Sequence, residues 1–205
     1  MVIKEKENYY PDEISLRLHL DSKNIQNNAD FQIPLYQNEK PSWKEHPQHG
    51  SKVDVVALPL DEKEITSTYF IRAFTPKDHI PNDIIIPLGQ ELMVIGFPKG
   101  FFDELNNLPI TRDASLGSVY PVPFQGNPFL LIDARLHGGT SGSPVVTKAM
   151  NMIQTTSGAT QIRTGNTRYL LGIHSASVDI ENSEDKDPLG LNCVWFASLI
   201  DEITK

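Results

Sequence analysis

The sequence predicts an all-β protein that ends in a short helix. Short apolar runs recur along the 205 residues and are separated by turn-forming residues, including 15 prolines and 13 glycines; this is typical of many short strands joined by turns. Hydrophobic residues make up 39% of the chain, so a substantial core is expected. Close to the end, Phe196, Leu199, Ile200 and Ile203 have the i, i+3, i+4, i+7 spacing of one helix face.

The first strands are predicted at residues 14–20 and 31–36, where short apolar runs lie between polar, turn-rich segments. A loop follows at 41–51. Two further strands are expected in this half of the chain, one around Asp54 and one at 69–74. The first part of the chain is therefore predicted to be a small β unit.

A segment with two prolines at 75–83 is interpreted as the link to the rest of the chain. Beyond it, strands are expected at 91–98, 118–122 and 129–134, each a short run with apolar residues. The long polar stretch at 150–167 is predicted to form an extended hairpin. The second half is thus predicted to be β as well.

Composition argues against several classes of function. Lys and Arg number 18 against 26 Asp and Glu, a formal net charge of -8 without a basic cluster, whereas nucleic-acid binding depends on neutralising phosphates. No apolar run approaches the roughly 20 residues that a membrane-spanning helix needs. Cys193 is the only cysteine, so no intrachain disulfide is expected. Together with residues 1–10, which do not resemble a signal peptide, this favours a cytoplasmic location. No cofactor is indicated.

The most informative motif surrounds Ser141. Residues 137–144 read His-Gly-Gly-Thr-Ser-Gly-Ser-Pro and lie between two apolar runs, 129–132 and 145–146. Glycines allow backbone conformations that a Cβ forbids and let a substrate carbonyl approach closely. Two backbone N–H groups can then point at one spot, as an oxyanion requires. An ordinary Gly-Ser-Pro turn between strands is the alternative interpretation.

Two further segments add to this motif. Asp54 lies in the apolar run Lys-Val-Asp-Val-Val-Ala-Leu-Pro-Leu at 52–60, where a carboxylate is costly without a partner. Downstream, residues 169–177 read Tyr-Leu-Leu-Gly-Ile-His-Ser-Ala-Ser and are predicted to form a strand. The chain thus carries a serine turn, an acid upstream of it and an apolar strand downstream of it.

These three segments resemble the Gly-Asp-Ser-Gly-Gly-Pro loop, the Asp-[Ile/Val]-Ala-Leu-Leu segment and the Val-Gly-Ile-Val-Ser-Trp-Gly strand of trypsin-like serine peptidases. The resemblance implies that Ser141 is the nucleophile, Asp54 the catalytic acid, and the N–H groups of Gly139 and Ser141 the oxyanion hole. The implied activity is hydrolysis of a polypeptide through an acyl-enzyme. The lack of disulfides suggests a relative of bacterial type.

The resemblance also implies two antiparallel β-barrels of the chymotrypsin fold. Residues 1–75 would form an incomplete first barrel that carries the acid, and residues 84–205 a second barrel with the nucleophile loop and the terminal helix. Incomplete closure would expose strand edges, so a dimer formed through such an edge is expected.

The histidine base of the family, in a Thr-x-x-His-Val type of segment, has no counterpart here. His19 shares the polar face of its strand with Ser15 and Arg17, and His46 and His49 lie in a loop that also suggests, weakly, a metal site. We expect that the chain starts after the missing segment. The intact protein would then be an endopeptidase, and this chain nearly inactive.

The resemblance places His174, Ser175, Ser177 and Arg135 around the specificity pocket. Relatives that cleave after Glu or Gln have a histidine at the place of His174, and Arg135 stands near the place of trypsin's pocket acid. A preference for Glu or Gln before the cleaved bond is therefore expected. The alternative for His174 is a packed strand histidine hydrogen-bonded to the backbone.

One substitution within the motif and two other classes of function complete the predictions. Thr140 replaces the aspartate that pairs with a new N-terminus in animal zymogens, so that mode of activation is not expected. An α/β-hydrolase elbow, Gly-x-Ser-x-Gly, fails at Ser143. The rival from another class is a catalytically silent protease-fold module that binds peptides by strand addition.

Overall fold

The computed structural model describes residues 11–163, 165–178 and 189–205. The regular secondary structure of these residues is mostly β, and the central element of the fold is a closed barrel of six antiparallel strands. Short 3-10 turns occur at Pro76–Asp78 and Pro98–Gly100. In chain order the elements are β1 (Glu13–His19), β2 (Asn28–Pro34), β3 (Tyr36–Gln37), β4 (Lys40–Pro41), α1 (Glu62–Thr68), β5 (Ile84–Ile85), β6 (Glu91–Gly96), β7 (Ile110–Leu116), β8 (Phe129–Asp133), β9 (Pro144–Thr147), β10 (Met152–Thr155), β11 (Thr160–Ile162), β12 (Leu170–Ser177), β13 (Leu191–Phe196) and α2 (Ser198–Thr204).

The barrel has the strand order β12-β13-β8-β7-β6-β9 and closes where β9 pairs with β12. Alternate residues point inward, as the pleat requires, and each large side chain buried there contributes about 1.5–3 kcal/mol. Gly172 on β12 allows close strand pairing, because a Cβ at this position would collide with the Trp195 carbonyl. Completely buried members of the core are Leu92, Val94, Leu130, Ile132, Val145, Leu171 and Val194.

Several predictions about this half are confirmed. The strands expected at 91–98 and 129–134 are β6 and β8. The hairpin expected within 150–167 is the β10–β11 pair, which also pairs with β5. The terminal helix is α2, and its buried residues are Leu199 and Ile203. Among the described residues, no helix is long and apolar enough to cross a membrane.

The predicted strand at 118–122 is wrong. Pro121 within this run and Pro123 directly after it have no backbone donor, which disfavours pairing in a strand ladder. The neighbouring strand is instead β7, whose sequence Ile-Thr-Arg-Asp-Ala-Ser-Leu has no apolar run. It forms because β6 and β8 both pair with it.

The first part of the chain, before β5, has two two-stranded sheets, β1–β2 and β3–β4, within residues 11–83. The hairpin β1–β2 confirms the strands predicted at 14–20 and 31–36. Helix α1 was not predicted; its N-cap is Asp61, whose carboxylate accepts from the N–H groups of Lys63 and Glu64. A first barrel over residues 1–75 stays a prediction.

Two other strand predictions in this part are wrong. Residues 54–56 are irregular, and the nearest pairing is an isolated bridge between Ala57 and Lys44. Residues 69–74 also form no strand, since α1 runs directly into them and the Phe70 N–H reaches the His19 carbonyl at 2.7 Å. The apolar pattern of both runs is only partly used for burial: Val53 is buried, whereas Val56, Phe70 and Phe74 are exposed.

Candidate active site

The Ser141 loop consists of two successive turns. The Thr140 N–H donates to the His137 carbonyl at 3.3 Å, and the Ser143 N–H donates to the Thr140 carbonyl at 3.1 Å. The third residue of each turn is a glycine with positive φ, Gly139 at 90° and Gly142 at 86°, which turns of type II require. The spacing of the two glycines therefore shapes the loop around the serine.

Gly139 is needed for a second reason. A Cβ there would lie 2.7 Å from the Phe97 carbonyl oxygen and 3.0 Å from the Lys99 nitrogen. The Lys99 N–H donates to the Gly138 carbonyl at 2.7 Å, which turns that carbonyl outward. Because carbonyl and N–H point in opposite directions across a trans peptide, the Gly139 N–H is aimed away from Lys99.

Ser175 stands between the predicted nucleophile and the predicted acid. The Ser141 hydroxyl donates to the Ser175 carbonyl at 2.6 Å, and the Ser175 hydroxyl donates to Asp54 Oδ2 at 2.7 Å. Asp54 and Ser141, which are 87 positions apart in the chain, are thus both hydrogen-bonded to one residue of β12. Asp54 is exposed rather than buried in a strand, which corrects the expectation for its surroundings.

His174 is in contact with the Ser141 loop through three hydrogen bonds. Its carbonyl accepts from the Gly142 N–H at 2.8 Å, and its own N–H donates to the Ser143 carbonyl at 2.9 Å. The ring Nδ1 lies 2.9 Å from the Thr140 carbonyl oxygen. Thr140 is itself buried, and its hydroxyl donates to the His137 carbonyl at 2.7 Å.

His174 is only 3% exposed. Burial lowers its pKa, although the Thr140 carbonyl and the Asn192 side chain both favour the protonated ring. Within the described part of the chain, Nε2 has no hydrogen-bond partner. The structure thus places this histidine as packed and bonded to the backbone, the alternative that the sequence had left open.

Asn192 is a residue of this site that the sequence analysis missed. It is 2% exposed, and its amide donates to the carbonyls of Ala134 at 2.7 Å and Gly190 at 3.0 Å. Its oxygen accepts from the Ser177 hydroxyl at 3.3 Å. A single amide within the apolar strand Leu-Asn-Cys-Val-Trp-Phe was the available signal, because a buried amide requires partners.

Arg135 lies beside this buried group with its side chain exposed. Its carbonyl accepts from the Arg112 guanidinium at 2.9 Å. The buried positions next to it are filled by Ala134 and Asn192. A role of Arg135 in a pocket floor therefore stays a prediction.

The described contacts of the histidines do not include Asp54. His46 is buried and bonds to Glu202 of α2, so the loop with the weak metal signal is held against the terminal helix. In the described ranges, no group of three or more His, Cys, Asp or Glu side chains is placed to hold a metal. The other contacts are His19 Nδ1 to the Ile25 carbonyl at 2.8 Å, His79 Nδ1 to Asp201 at 3.4 Å and the His49 ring stacked on His46 at 4.9 Å.

The chain's cysteine lies close enough to Asp54 to feel its charge. Burial, with a smaller effect from the negative charge of Asp54, raises the pKa of the Cys193 thiol to about 12. A thiol with this pKa is protonated near neutral pH and is a poor nucleophile. Ser141 is therefore the better candidate nucleophile of the two.

Comparison with known proteins adds no family to this geometry. No protein-family profile matches the chain, and a search of curated proteins gives no significant match.

Proposed function

We propose that this chain carries the nucleophile half of a serine peptidase site of the trypsin-like type. The observation that carries the proposal is Ser175, which binds the Ser141 hydroxyl through its carbonyl and the Asp54 carboxylate through its hydroxyl. The proposed nucleophile and the proposed acid come from distant parts of the chain, and both are hydrogen-bonded to this one residue. The two-barrel arrangement belongs to the same proposal.

In this proposal Ser141 attacks the carbonyl carbon of a peptide bond. The N–H groups of Gly139 and Ser141 receive the negative charge that develops on the carbonyl oxygen. Attack requires a base to remove the hydroxyl proton. The Ser175 carbonyl, which accepts the hydrogen bond of this hydroxyl, is not basic enough to do so. Losing the histidine of such a site costs on the order of 10⁶ in kcat, so the chain by itself should be nearly inactive.

The test is labelling of Ser141 by a fluorophosphonate, with and without added imidazole. Imidazole is the histidine side chain that sites of this type use as base, so it should speed a slow labelling reaction by accepting the Ser141 proton near Asp54. Ser141→Ala should abolish labelling and Ser143→Ala should preserve it, which makes the neighbouring serine a matched control. Asp54→Asn should remove most of the effect of imidazole.

Two results would contradict the proposal. Labelling that survives in Ser141→Ala would place the reactive serine elsewhere, and a complete lack of labelling at high imidazole would show that Ser141 cannot be activated. Rapid labelling without imidazole would instead contradict only the expected inactivity, since one of the chain's histidines would then serve as the base.

A preference for Glu or Gln before the cleaved bond is included in the proposal. It requires the His174 ring to reach the substrate, and Nε2 is buried beside the Ser177–Asn192 hydrogen bond. Binding should therefore open that bond, and a Glu carboxylate, which only accepts, also requires the ring to gain a proton at Nε2. Product-like peptides ending in Glu, Gln, Lys or Leu can be compared by calorimetry, and tighter binding of Lys or Leu peptides would end the idea.

A silent peptide-binding module is the second candidate, and one observation favours it. Strand β9 pairs with β12 only as far as Ile173, opposite Pro144, so residues 175–177 extend past the end of their neighbour on that side. An extended peptide can add to such a segment through backbone hydrogen bonds. Peptide binding that persists in Ser141→Ala, with no labelling at any imidazole concentration, would support the module over the peptidase.

A further inference from the structure

We propose that His174 is a positioning residue that locks the nucleophile loop by donating its Nδ1 hydrogen to the Thr140 carbonyl. The inference rests on the proposed function in one respect, namely that the loop around Ser141 is a nucleophile loop. The lock itself is a statement about hydrogen bonds and is testable without any catalysis.

The lock consists of three contacts that bracket Ser141. On one side of the serine, His174 Nδ1 contacts the Thr140 carbonyl. On the other side, the His174 backbone binds the Gly142 N–H and the Ser143 carbonyl. One residue of the barrel wall thus holds both ends of the turn that presents the serine, while the adjacent Ser175 carbonyl holds the hydroxyl.

The chemistry of the partners determines which nitrogen carries the hydrogen. A carbonyl oxygen only accepts, so Nδ1 must donate to Thr140. A neutral imidazole carries a single ring hydrogen, so Nε2 is then left with a lone pair. The neutral ring is therefore held as the Nδ1–H tautomer, with a lone pair at Nε2.

The Thr140 carbonyl uses both of its lone pairs in this arrangement. One accepts from the Ser143 N–H and closes the turn, and the other accepts from the ring. Thr140 is 1% exposed, so water cannot replace a lost donor without opening the loop. The buried ring consequently holds the residue that directly precedes the nucleophile.

The first experiment is nitrogen-15 NMR of the full chain at neutral pH. We expect the His174 ring to show a protonated Nδ1 and an unprotonated Nε2. An Nε2–H tautomer, or a ring that exchanges between the two forms, would overturn the proposal. Because this measurement needs no variant, it remains decisive even where a substitution prevents folding.

The second experiment compares two variants by amide hydrogen exchange. The Asn side-chain nitrogen lies where Nδ1 of histidine lies, so His174→Asn should retain the donor, whereas His174→Leu cannot donate. In His174→Leu the Gly142 and Ser143 amides should exchange about 3- to 10-fold faster. In His174→Asn they should stay within about twofold of the parent.

The outcome separates the lock from the peptidase proposal. Equal exchange in both variants, or faster exchange spread evenly over the barrel, would show that the ring has a packing role and no lock. Failure of Ser141 to react with a fluorophosphonate under imidazole would refute the peptidase and leave these exchange rates and the tautomer unchanged.

Discussion

Ser175 joins Asp54 by a hydroxyl-to-carboxylate hydrogen bond of 2.7 Å, and its own carbonyl accepts the Ser141 hydroxyl at 2.6 Å. The acid and the serine therefore share a neighbour on β12, although the segment that carries Asp54 has no place in the barrel. Asp54 and Ser141 are connected because both bind the same residue of β12.

Replacing Ser175 with alanine removes one side of this connection and leaves its carbonyl in place. The free energy of unfolding should change by no more than about 0.5 kcal/mol, because Asp54 is exposed. Imidazole-stimulated labelling of Ser141 should fall about 3- to 10-fold, since the carboxylate loses the donor that orients it. Ser177→Ala is the control, and equal labelling rates in both variants would contradict the role of Ser175.

Gly139 and its neighbour Gly138 form a matched pair for testing the loop. Gly139→Ala should destabilise the fold by about 1–3 kcal/mol and suppress labelling, because φ is 90° and the new Cβ would meet the Phe97 carbonyl. Gly138→Ala should be close to neutral, since a Cβ there meets nothing within 4 Å. Thermal unfolding of both variants checks the difference, and similar losses would argue against the described loop.

Cys193 should resist alkylation in the folded chain. With a pKa raised to about 12, almost no thiolate is present at pH 8, whereas the unfolded thiol has a value near 9.0. Between these values the unfolded chain releases the proton and the folded chain keeps it, so stability should fall as pH rises through this window. Iodoacetamide reaction at pH 8, with and without denaturant, measures the contrast; equal rates would refute it.

His46 should contribute substantially to the free energy of unfolding, because it binds α2. Its Nδ1 accepts the N–H groups of Gln48 and His49 at 3.2 Å each, and Nε2 therefore donates to Glu202. His46→Ala leaves these groups without their partner and should cost about 1–3 kcal/mol. His49→Ala, which loses only a stacked ring, should cost less in the same denaturant titration, and the reverse order would contradict this account.

Dimerisation through the β1 edge is the remaining prediction. The carbonyls of Arg17 and His19 face away from β2 and already accept from Asn107 and Phe70, so the part of the edge around Ser15 is the part left to pair. Ser15 lies on the same side by alternation, and its backbone is expected to pair with a second chain. Sedimentation should show a concentration-dependent dimer that Ser15→Pro weakens. A monomer at all concentrations of the parent chain would refute the prediction.

Much of the second half could be predicted because its strands carry their own signal. The runs that became β6 and β8 are continuous and apolar, and α2 shows helical spacing. The strand β7 could not be predicted, since its pairing with β6 and β8 compensates for a polar sequence. Around Asp54 the apolar pattern was misleading, because Val53 is buried there without a strand ladder while Val56 and Leu60 are exposed.

By itself the sequence determined the local chemistry: a serine between two glycines spaced for consecutive turns, and strands whose apolar residues had to be buried. Only the tertiary structure decided what these groups meet. It brought Asp54 to Ser175, buried the His174 ring against Thr140 and committed Asn192 to two carbonyls. The physical reason is that a turn and the apolar pattern of a strand are set by residues close together in the sequence. Hydrogen bonds between residues far apart in the sequence depend instead on how the barrel closes.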